Sequence, residues 1–574
     1  MRIGELSLRR RRQRRRRLAA AAVALAVVAA AVLFFVGGGG EPAGPSERRA
    51  ARRMEIARTE LATDDPVRRG CSLPKDQIVR IWRGWDPVHS EDVTTVPWEP
   101  NYSGSLNVTS HTGPWDYLQN VPLVLYGPRR IRGAGVVDRH AELVDVFATV
   151  GELVGVDLPR RDGDVLRDAL APNAPGVPKL VLVVMWDGVG RNVLERWPGR
   201  WPTLARLSRA GTSYLGASVG SSPSITPATH ANLGTGAYPR DHKVTAITYR
   251  LAGGVVRNAF ADRNPADMKL TTFADEIDAA LDNAPLVGML AWRSWHLGMF
   301  GHGTQSPGGD ADQLALMGTE TGITGEDAWY STPPYVNGLP GIERYVEQVD
   351  RLDGKADGKW LGHDVEAVHD NPAWIRYQRD VLLAMLEREG YGADEVPDLF
   401  LTNFKVTDIV GHNSTMDSKE MGEVLAEQDA ALGEIVDYLD REVRDYVVIV
   451  SADHGHTPDY ERSGAFPIAQ SQIIADVNRH FDVPKGESLF RTTSAAGPFL
   501  QRAVADELGV TEDDVARFLN GYTIDENWKE AKLPPAFEDR AEEPIFSAAF
   551  SGDDLDAIVR CAFGSGAPPK DFEA

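Results

Sequence analysis

Cysteine is almost absent from this chain: Cys71 and Cys561 are the two in 574 residues. At most one disulfide is available. In an oxidising compartment it would join the start of the folded body to its end, and two unpaired thiols are the other reading. Positive charge is also short. The formal charge is −22, and since the first seventeen residues hold nine Arg and one Glu, the rest carries about −30. A body this acidic repels nucleic acid and anionic membrane surfaces, so no nucleic-acid partner is expected, and bound cations fit an anionic substrate. No internal repeat is evident.

Charge is missing altogether from residues 18–36, a run of nineteen apolar residues from Leu18 to Val36 that directly follows the basic stretch 9–17. Nineteen residues just cross a bilayer, and the flanking arginines put the N-terminus in the cytoplasm and the body outside. The run ends Leu-Phe-Phe-Val, with no small-x-small site, which favours an uncleaved anchor over a removed signal. The expected order is therefore a basic cytoplasmic tail (1–17), a transmembrane helix (18–36) and a linker (37–70) opened by Gly37 to Gly40.

Hydrophobic residues make up 43% of the chain, enough for a sizeable core. Tyr446 to Ser451 reads as a strand buried on both faces, and so does 179–186, which runs into Asp187-Gly188. Residues 121–126, 285–291 and 398–402 are further strands, and 77–82 is strand-like. Helical spacing marks 142–154, ended by Gly155, then 203–210, 371–389 and 420–439, the last with Leu425, Leu432, Ile435, Val436 and Leu439 inward. A charged helix is expected at 48–61 and helical pieces at 496–508 and 512–519. Loop-rich stretches at 258–267 and 303–341 look like insertions. Strands alternating with helices imply an α/β fold, its mostly parallel sheet sandwiched by helices.

Acidic residues close three of these strands: Asp187, the pair Asp408 and His412 beyond Thr402, and Asp453 with His454. Ligands of open α/β sheets bind outside the carboxyl ends of strands, and carboxylate oxygen beside imidazole nitrogen suits a zinc-class ion. Between the first two lies 224–236, where the hydroxyl of Thr226 would open a helix and have its alkoxide stabilised by the helix N-terminus and a cation.

The order Asp187-Gly, Thr226 before Thr235-Gly-Ala-Tyr-Pro239, Asp408-Ile-Val-Gly-His412 and Asp453-His-Gly resembles the alkaline phosphatase superfamily, within it the type I phosphodiesterase/nucleotide pyrophosphatase group. The resemblance covers residues 74–159 and 179–483 and implies an alkaline-phosphatase-like fold. It also implies two divalent ions, zinc first, with Mn2+ or Mg2+ as alternatives. Asp187, Asp453 and His454 would share one ion with the nucleophile Thr226, while Asp408 and His412 would hold the other with one more histidine. The family places that histidine after Asp-His-Gly, where His456 reads as a neighbour of the ligands and His480 as structural. His111, in Ser110-His-Thr-Gly-Pro-Trp-Asp-Tyr117, begins a stretch resembling the family's closing segment and is assigned as the missing ligand. The implied order is circularly permuted: 71–172 a permuted segment, 173–490 the main catalytic domain with insertions, and 491–574 a C-terminal helical extension.

The resemblance implies a membrane-anchored, extracytoplasmic hydrolase of phosphodiester or phosphomonoester substrates, working through a phosphothreonine intermediate. A transferase of a phosphoryl-linked group in the envelope and a pseudoenzyme or binding protein are the alternatives. Sulfatase chemistry is not expected, because neither cysteine lies near Thr226. Two departures bear on the substrate. The family's Thr-x-Pro-Asn-His reads Thr226-Pro-Ala-Thr-His230, and its phosphate-binding asparagine falls near Ile247. Thr229, Thr248 or a residue of an insertion is the expected replacement donor, and Lys405 is either a substrate contact or a solvated lysine; His230 is expected to be structural, and His296 and His302 core or rim residues.

Overall fold

The β-branched runs of the sequence form the middle of a nine-stranded sheet. In this computed structural model its strands, numbered in chain order, are β1 (Leu123–Tyr126), β2 (Gly135–Glu142), β3 (Leu180–Trp186), β4 (Thr212–Ser218), β5 (Val287–Ala291), β6 (Gln313–Thr319), β7 (Gly322–Thr324), β8 (Asp398–Phe404) and β9 (Tyr446–Ser451). Across the sheet they run β7-β6-β5-β8-β3-β9-β1-β4-β2. Only β1 and β7 run against the rest, so the sheet is mostly parallel. The structure describes residues 65–572 apart from 107, 173, 252, 320–321, 325–327, 366–369, 529–531 and 570–571. The basic tail, the apolar run 18–36, the linker up to residue 64 and the helix expected at 48–61 lie outside the described residues. Among those described, no helix is long and apolar enough to cross a membrane.

Every residue of β3, β8 and β9 is buried, as expected of strands covered on both faces. Register brings Phe404 opposite Trp186 and Ser451 opposite Met185, so the carboxyl ends of three neighbouring strands are level. The helices around the sheet include α1 (Asp145–Val154), α2 (Thr226–Thr235), α3 (Pro372–Glu389), α4 (Val406–Ser414) and α5 (Lys419–Glu442). Ser418 caps α5 by accepting from the Met421 amide. Its Leu425, Leu432, Ile435, Val436 and Leu439 are buried, each contributing about 1.5–3 kcal/mol of apolar burial. Arg376 on α3 holds Glu427 on α5 through two hydrogen bonds of 2.7 Å.

Several local expectations are corrected. Residues 77–82 belong to a helix, Lys75–Gly84, because Ile78, Ile81 and Trp82 recur at three- and four-residue spacing and are buried together. The end of the expected linker is also helical: Asp65 accepts from the amides of Val67 and Arg68 and starts the helix Pro66–Cys71. Pro498–Leu500 is a strand paired with Phe490–Thr493, and the helix expected from 496 begins only at Arg502.

A smaller lobe joins the two ends of the body. Val93–Pro97 pairs antiparallel with Phe546–Ser551. One face of this ladder packs on Phe466, Leu519 and Phe537, the other on Ile78, Trp82 and Ile558. The two cysteines form a disulfide, Cys71–Cys561, beside it.

Candidate functional site

The level strand ends set out the site. Asp187 follows β3, and its amide donates to Phe404 O at 3.0 Å. Asp408 lies in the first turn of α4, and His412 is one turn on, on the same face. Asp453 and His454 follow β9. Thr226 is the first residue of α2, with Pro227 next to it. His111 arrives from the loop ahead of β1, hundreds of residues earlier in the chain than Asp408.

Two groups result. In the first, His454 Nε2 lies 3.4 Å from Asp453 Oδ2 and 3.6 Å from Asp187 Oδ1. In the second, Asp408 Oδ1 lies 3.5 Å from His111 Nε2 and 3.4 Å from His412 Nε2. The groups abut: the rings of His111 and His454 stack at 3.4 Å, and His454 Nε2 is 3.7 Å from Asp408 Oδ1. The structure thus brings Asp187, Asp453, His454, Asp408, His412 and His111 to one place, with Thr226 joined to them through Lys405, and carboxylate oxygens and imidazole nitrogens there also group as Asp408, His454 and His456 and as Asp187, His230 and His296.

The imidazoles are prepared in a common way. Nδ1 of His111 faces Ser224 O at 2.9 Å, that of His412 faces Thr109 O at 2.5 Å, and that of His454 faces Gly455 O at 3.0 Å. A carbonyl only accepts, so these Nδ1 atoms carry the proton and Nε2 turns its lone pair into the site. Burial holds His111 well below the usual imidazole range and His454 at about 3, so both stay neutral.

Lys405 is the cation at the centre. It is buried, and its Nζ donates to Asp187 Oδ1 at 2.9 Å and to Thr226 Oγ1 at 3.0 Å, with Asp408 Oδ2 at 2.7 Å. Burial opposes its charge, but Asp187, Asp408 and Asp453 outweigh it and push the ammonium's pKa up. Burial likewise acts against the carboxylates. Lys405 nevertheless holds Asp187 and Asp408 low, while Asp453, beside Asp187, is pushed up.

Whether this donor set suits metal ions can be judged from what it leaves unmet. Asn403 Oδ1, Asp408 Oδ1, Asp453 Oδ2, His454 Nε2 and both nitrogens of His456 are buried without a hydrogen-bond partner. Buried polar atoms are seldom left so, and six in one place, mostly carboxylate oxygens and imidazole nitrogens, fit cations.

The remaining residues singled out in the sequence are placed as follows. The Thr229 hydroxyl donates to Ile225 O and Thr226 O within α2. Thr248 donates to Asn258 Oδ1 in a hairpin. His230 is held at both ring nitrogens, Nδ1 by Thr226 O at 2.8 Å and Nε2 by Asn403 Nδ2 at 2.9 Å. His302 pairs with Asp275, and His480 packs on Phe481 and Phe518. His456 packs tightly beside the ligands, with Nε2 3.4 Å from Asp408 Oδ1. Gly411 makes room for it, because a Cβ there would lie 2.3 Å from His456 Nε2.

Two side chains that reach Asp187 were not legible as such. His296 reaches Asp187 Oδ2 at 3.4 Å, and Asn403 donates to the same oxygen at 3.0 Å. Arg293, stacked on Trp292 at 4.0 Å and near Trp295, has no carboxylate partner among the described residues. Trp292 also lies 6.0 Å from Lys405 Nζ, and the two share a small cleft with Trp374 and Gln378.

Comparison with known proteins gives the same direction. The profile of the type I phosphodiesterase/nucleotide pyrophosphatase family matches residues 181–502, more than half of the chain. Alkaline phosphatase PafA of Elizabethkingia meningoseptica is 22% identical over 331 residues, 49% of this chain and 61% of that protein. Alkaline phosphatase PhoD of Zymomonas mobilis is 27% identical over 125 residues, 22% of each chain. Alkaline phosphatase PhoK of a Sphingomonas species is 33% identical over 94 residues, 16% of this chain and 17% of that one. The chain spans less than two-thirds of the length of each of these relatives. The crystal structure of wild-type PafA aligns with a TM-score of 0.46 at 16% identity, covering 66% of this chain and 85% of that one.

Proposed function

Because the chain belongs to the type I phosphodiesterase/nucleotide pyrophosphatase family, we propose that it hydrolyses phosphate esters, diester or monoester, with Thr226 as nucleophile. The observation that carries this reading is the pair of abutting carboxylate–imidazole groups at three level strand ends, with Thr226 opening a helix beside them. Asp187, Asp453, His454 and Thr226 would hold one divalent ion, and Asp408, His412 and His111 the other. Mixed nitrogen and oxygen donors favour zinc, and such ions supply Lewis acidity and offset charge in the transition state.

The chain's own groups do the rest. Thr226 Oγ1 attacks phosphorus, giving up its proton to solvent, while the bond to the leaving oxygen breaks and that oxygen takes the electron pair. Lys405 Nζ, 3.0 Å from Oγ1, donates to that oxygen and so favours its alkoxide form before the attack. The N-terminus of α2 adds its partial positive charge there. Water then attacks the phosphothreonine, the P–Oγ1 bond breaks and Thr226 regains a proton. Arg293, stacked on Trp292 and without a carboxylate partner among the described residues, is placed to meet an anionic part of the ester beyond the transferred group.

The segment order is read as permuted. The family profile begins at residue 181, whereas His111 and β1 come from before it, and β1 is nevertheless built into the sheet between β9 and β4. The body is placed outside the cytoplasm on an anchor at 18–36, in keeping with the disulfide between Cys71 and Cys561.

Full-length protein reconstituted with zinc and assayed on an aryl phosphodiester and an aryl phosphomonoester tests the reading. Turnover of at least one, abolished by chelation, is expected. Zinc binding with hydrolysis of neither would overturn it, and full activity in Thr226→Ala would remove the nucleophile.

A further inference from the structure

A second acidic cluster lies away from these strand ends. Asp278 stands in the last turn of the helix Phe273–Ala280, and Asp310 and Asp312 belong to the loop that leads into β6. Each offers a carboxylate oxygen, and the three oxygens lie within 4.8 Å of one another. Three like charges so close repel, and the C-terminal end of a helix is the wrong end for a carboxylate.

Among the described residues, no Lys, Arg or His pairs with any of the three. Asp275, one turn earlier, is by contrast satisfied by His302, Ser306 and Thr272. Asp278 is 5% exposed, and its Oδ1 is buried with no hydrogen-bond donor. A buried carboxylate with one oxygen unmet, grouped within 4.8 Å of two other carboxylates, is the arrangement a cation satisfies. Burial, together with the neighbouring aspartates, pushes Asp312 up to about 9 and Asp278 up to about 7.

The loop is already shaped. Asn283 Nδ2 donates to Gly308 O at 2.8 Å, and Ser331 N donates to Asp312 O at 2.8 Å, which ties both ends of the acidic stretch to neighbouring segments. Asp310 is exposed, leaving one side open to water.

We infer that Asp278, Asp310 and Asp312 form a binding site for a hard divalent cation of the calcium class, separate from the catalytic groups, that ties the loop before β6 to the helix Phe273–Ala280. The donor set decides the class. It is oxygen only, with no imidazole or thiolate, which suits calcium, whereas the strand-end groups mix nitrogen and oxygen and suit zinc. Three carboxylates fill part of calcium's six to eight oxygen positions, and water on the Asp310 side supplies others.

The test uses full-length protein first saturated with zinc, then titrated with calcium chloride by calorimetry, with thermal unfolding followed in parallel. One further equivalent of calcium and a rise in Tm of several degrees are expected in the wild type. Asp312→Asn should lose at least about tenfold in calcium affinity and most of the Tm rise, with ester hydrolysis unchanged. In the absence of calcium it should unfold no earlier than wild type, since the amide stays neutral without the cost of protonating a buried carboxyl. If Asp312→Asn does not fold, the exposed Asp310→Asn serves, with the same loss expected. Calcium-independent stability in the zinc-saturated wild type would overturn the inference, leaving the cluster neutralised by protons. An identical calcium response in wild type and the folded variant would also overturn it.

Discussion

Two buried aspartates of the small lobe and the strand ends of the sheet handle charge in opposite ways. In the small lobe, Asp92 is buried but fully met: Oδ1 accepts from Arg502 at 2.6 Å, and Oδ2 from Arg250 at 2.5 Å and from the Leu500 amide at 2.7 Å. Asp476 there accepts from Tyr522 at 2.6 Å. At the ends of β3, β8 and β9, six buried polar atoms have no partner, and one lysine faces three carboxylates. A buried ion pair with complete hydrogen bonding is a structural fastening. An incomplete set, held open by strand ends that cannot move independently, is a place kept for something else.

That contrast predicts where changes cost activity and where they cost stability. The largest effect is expected at His111. His111→Ala removes a donor from the Asp408 group while leaving a loop residue outside the family profile, so turnover should fall on the order of 10³-fold, with zinc affinity down at least about 100-fold. Metal content and kcat measured together check this, and a variant that keeps both would undo the permuted assignment. Lys405→Met comes next. With its cation gone, Asp187, Asp408 and Asp453 face one another unneutralised, and the metal-free protein should lose about 3 kcal/mol. Zinc should restore most of the loss. Denaturant unfolding with and without zinc separates this from a plain packing defect, which zinc would not repair.

How much of this was legible depends on where each signal lies in the chain. β3, β8 and β9 were readable because strands buried on both faces are unbroken apolar runs, and the acidic residues that end them were therefore visible too. β2 and β4 were not. β2 alternates with charged residues and is largely exposed, and β4 is Thr-Ser-Tyr-Leu-Gly-Ala-Ser, so neither declares itself without the neighbour that pairs with it. The segment 77–82 misled through its β-branched residues, although Ile78, Ile81 and Trp82 also fit a helix, and packing against Ile558 decided it. In the site, motif residues were legible, whereas His296 and Asn403 were not. His296 reaches Asp187 only because its turn packs against α2 at Gly234 and Gly298, where a Cβ on Gly298 would lie 2.8 Å from Ala231 N. Such a contact belongs to the folded chain and has no linear pattern.

In the small lobe the same contrast predicts losses of stability without losses of chemistry. Removing the disulfide with Cys71→Ser and Cys561→Ser frees a loop of 490 residues in the unfolded chain and should cost about 2–5 kcal/mol. The zinc-loaded protein that remains folded should keep its kcat, which thermal unfolding and kinetics on one preparation would show.

A smaller effect, and the one with a pH signature, is expected at Glu91. Burial pushes this carboxyl up from the ordinary 4.5 to about 7, against its own backbone amide and the Thr94 hydroxyl, which donates to its Oε1 at 3.1 Å. The folded chain therefore holds a proton that the unfolded chain releases. Its contribution is fully present below pH 4.5 and is lost as pH rises through 7, amounting to roughly 2 kcal/mol between about pH 5 and 7. Glu91→Gln keeps the Thr94 hydrogen bond without the charge, so it should match wild type near pH 5 and exceed it in stability near pH 8. The measurement is unfolding free energy across that range. A variant with the same pH slope as wild type would place the titration on another group.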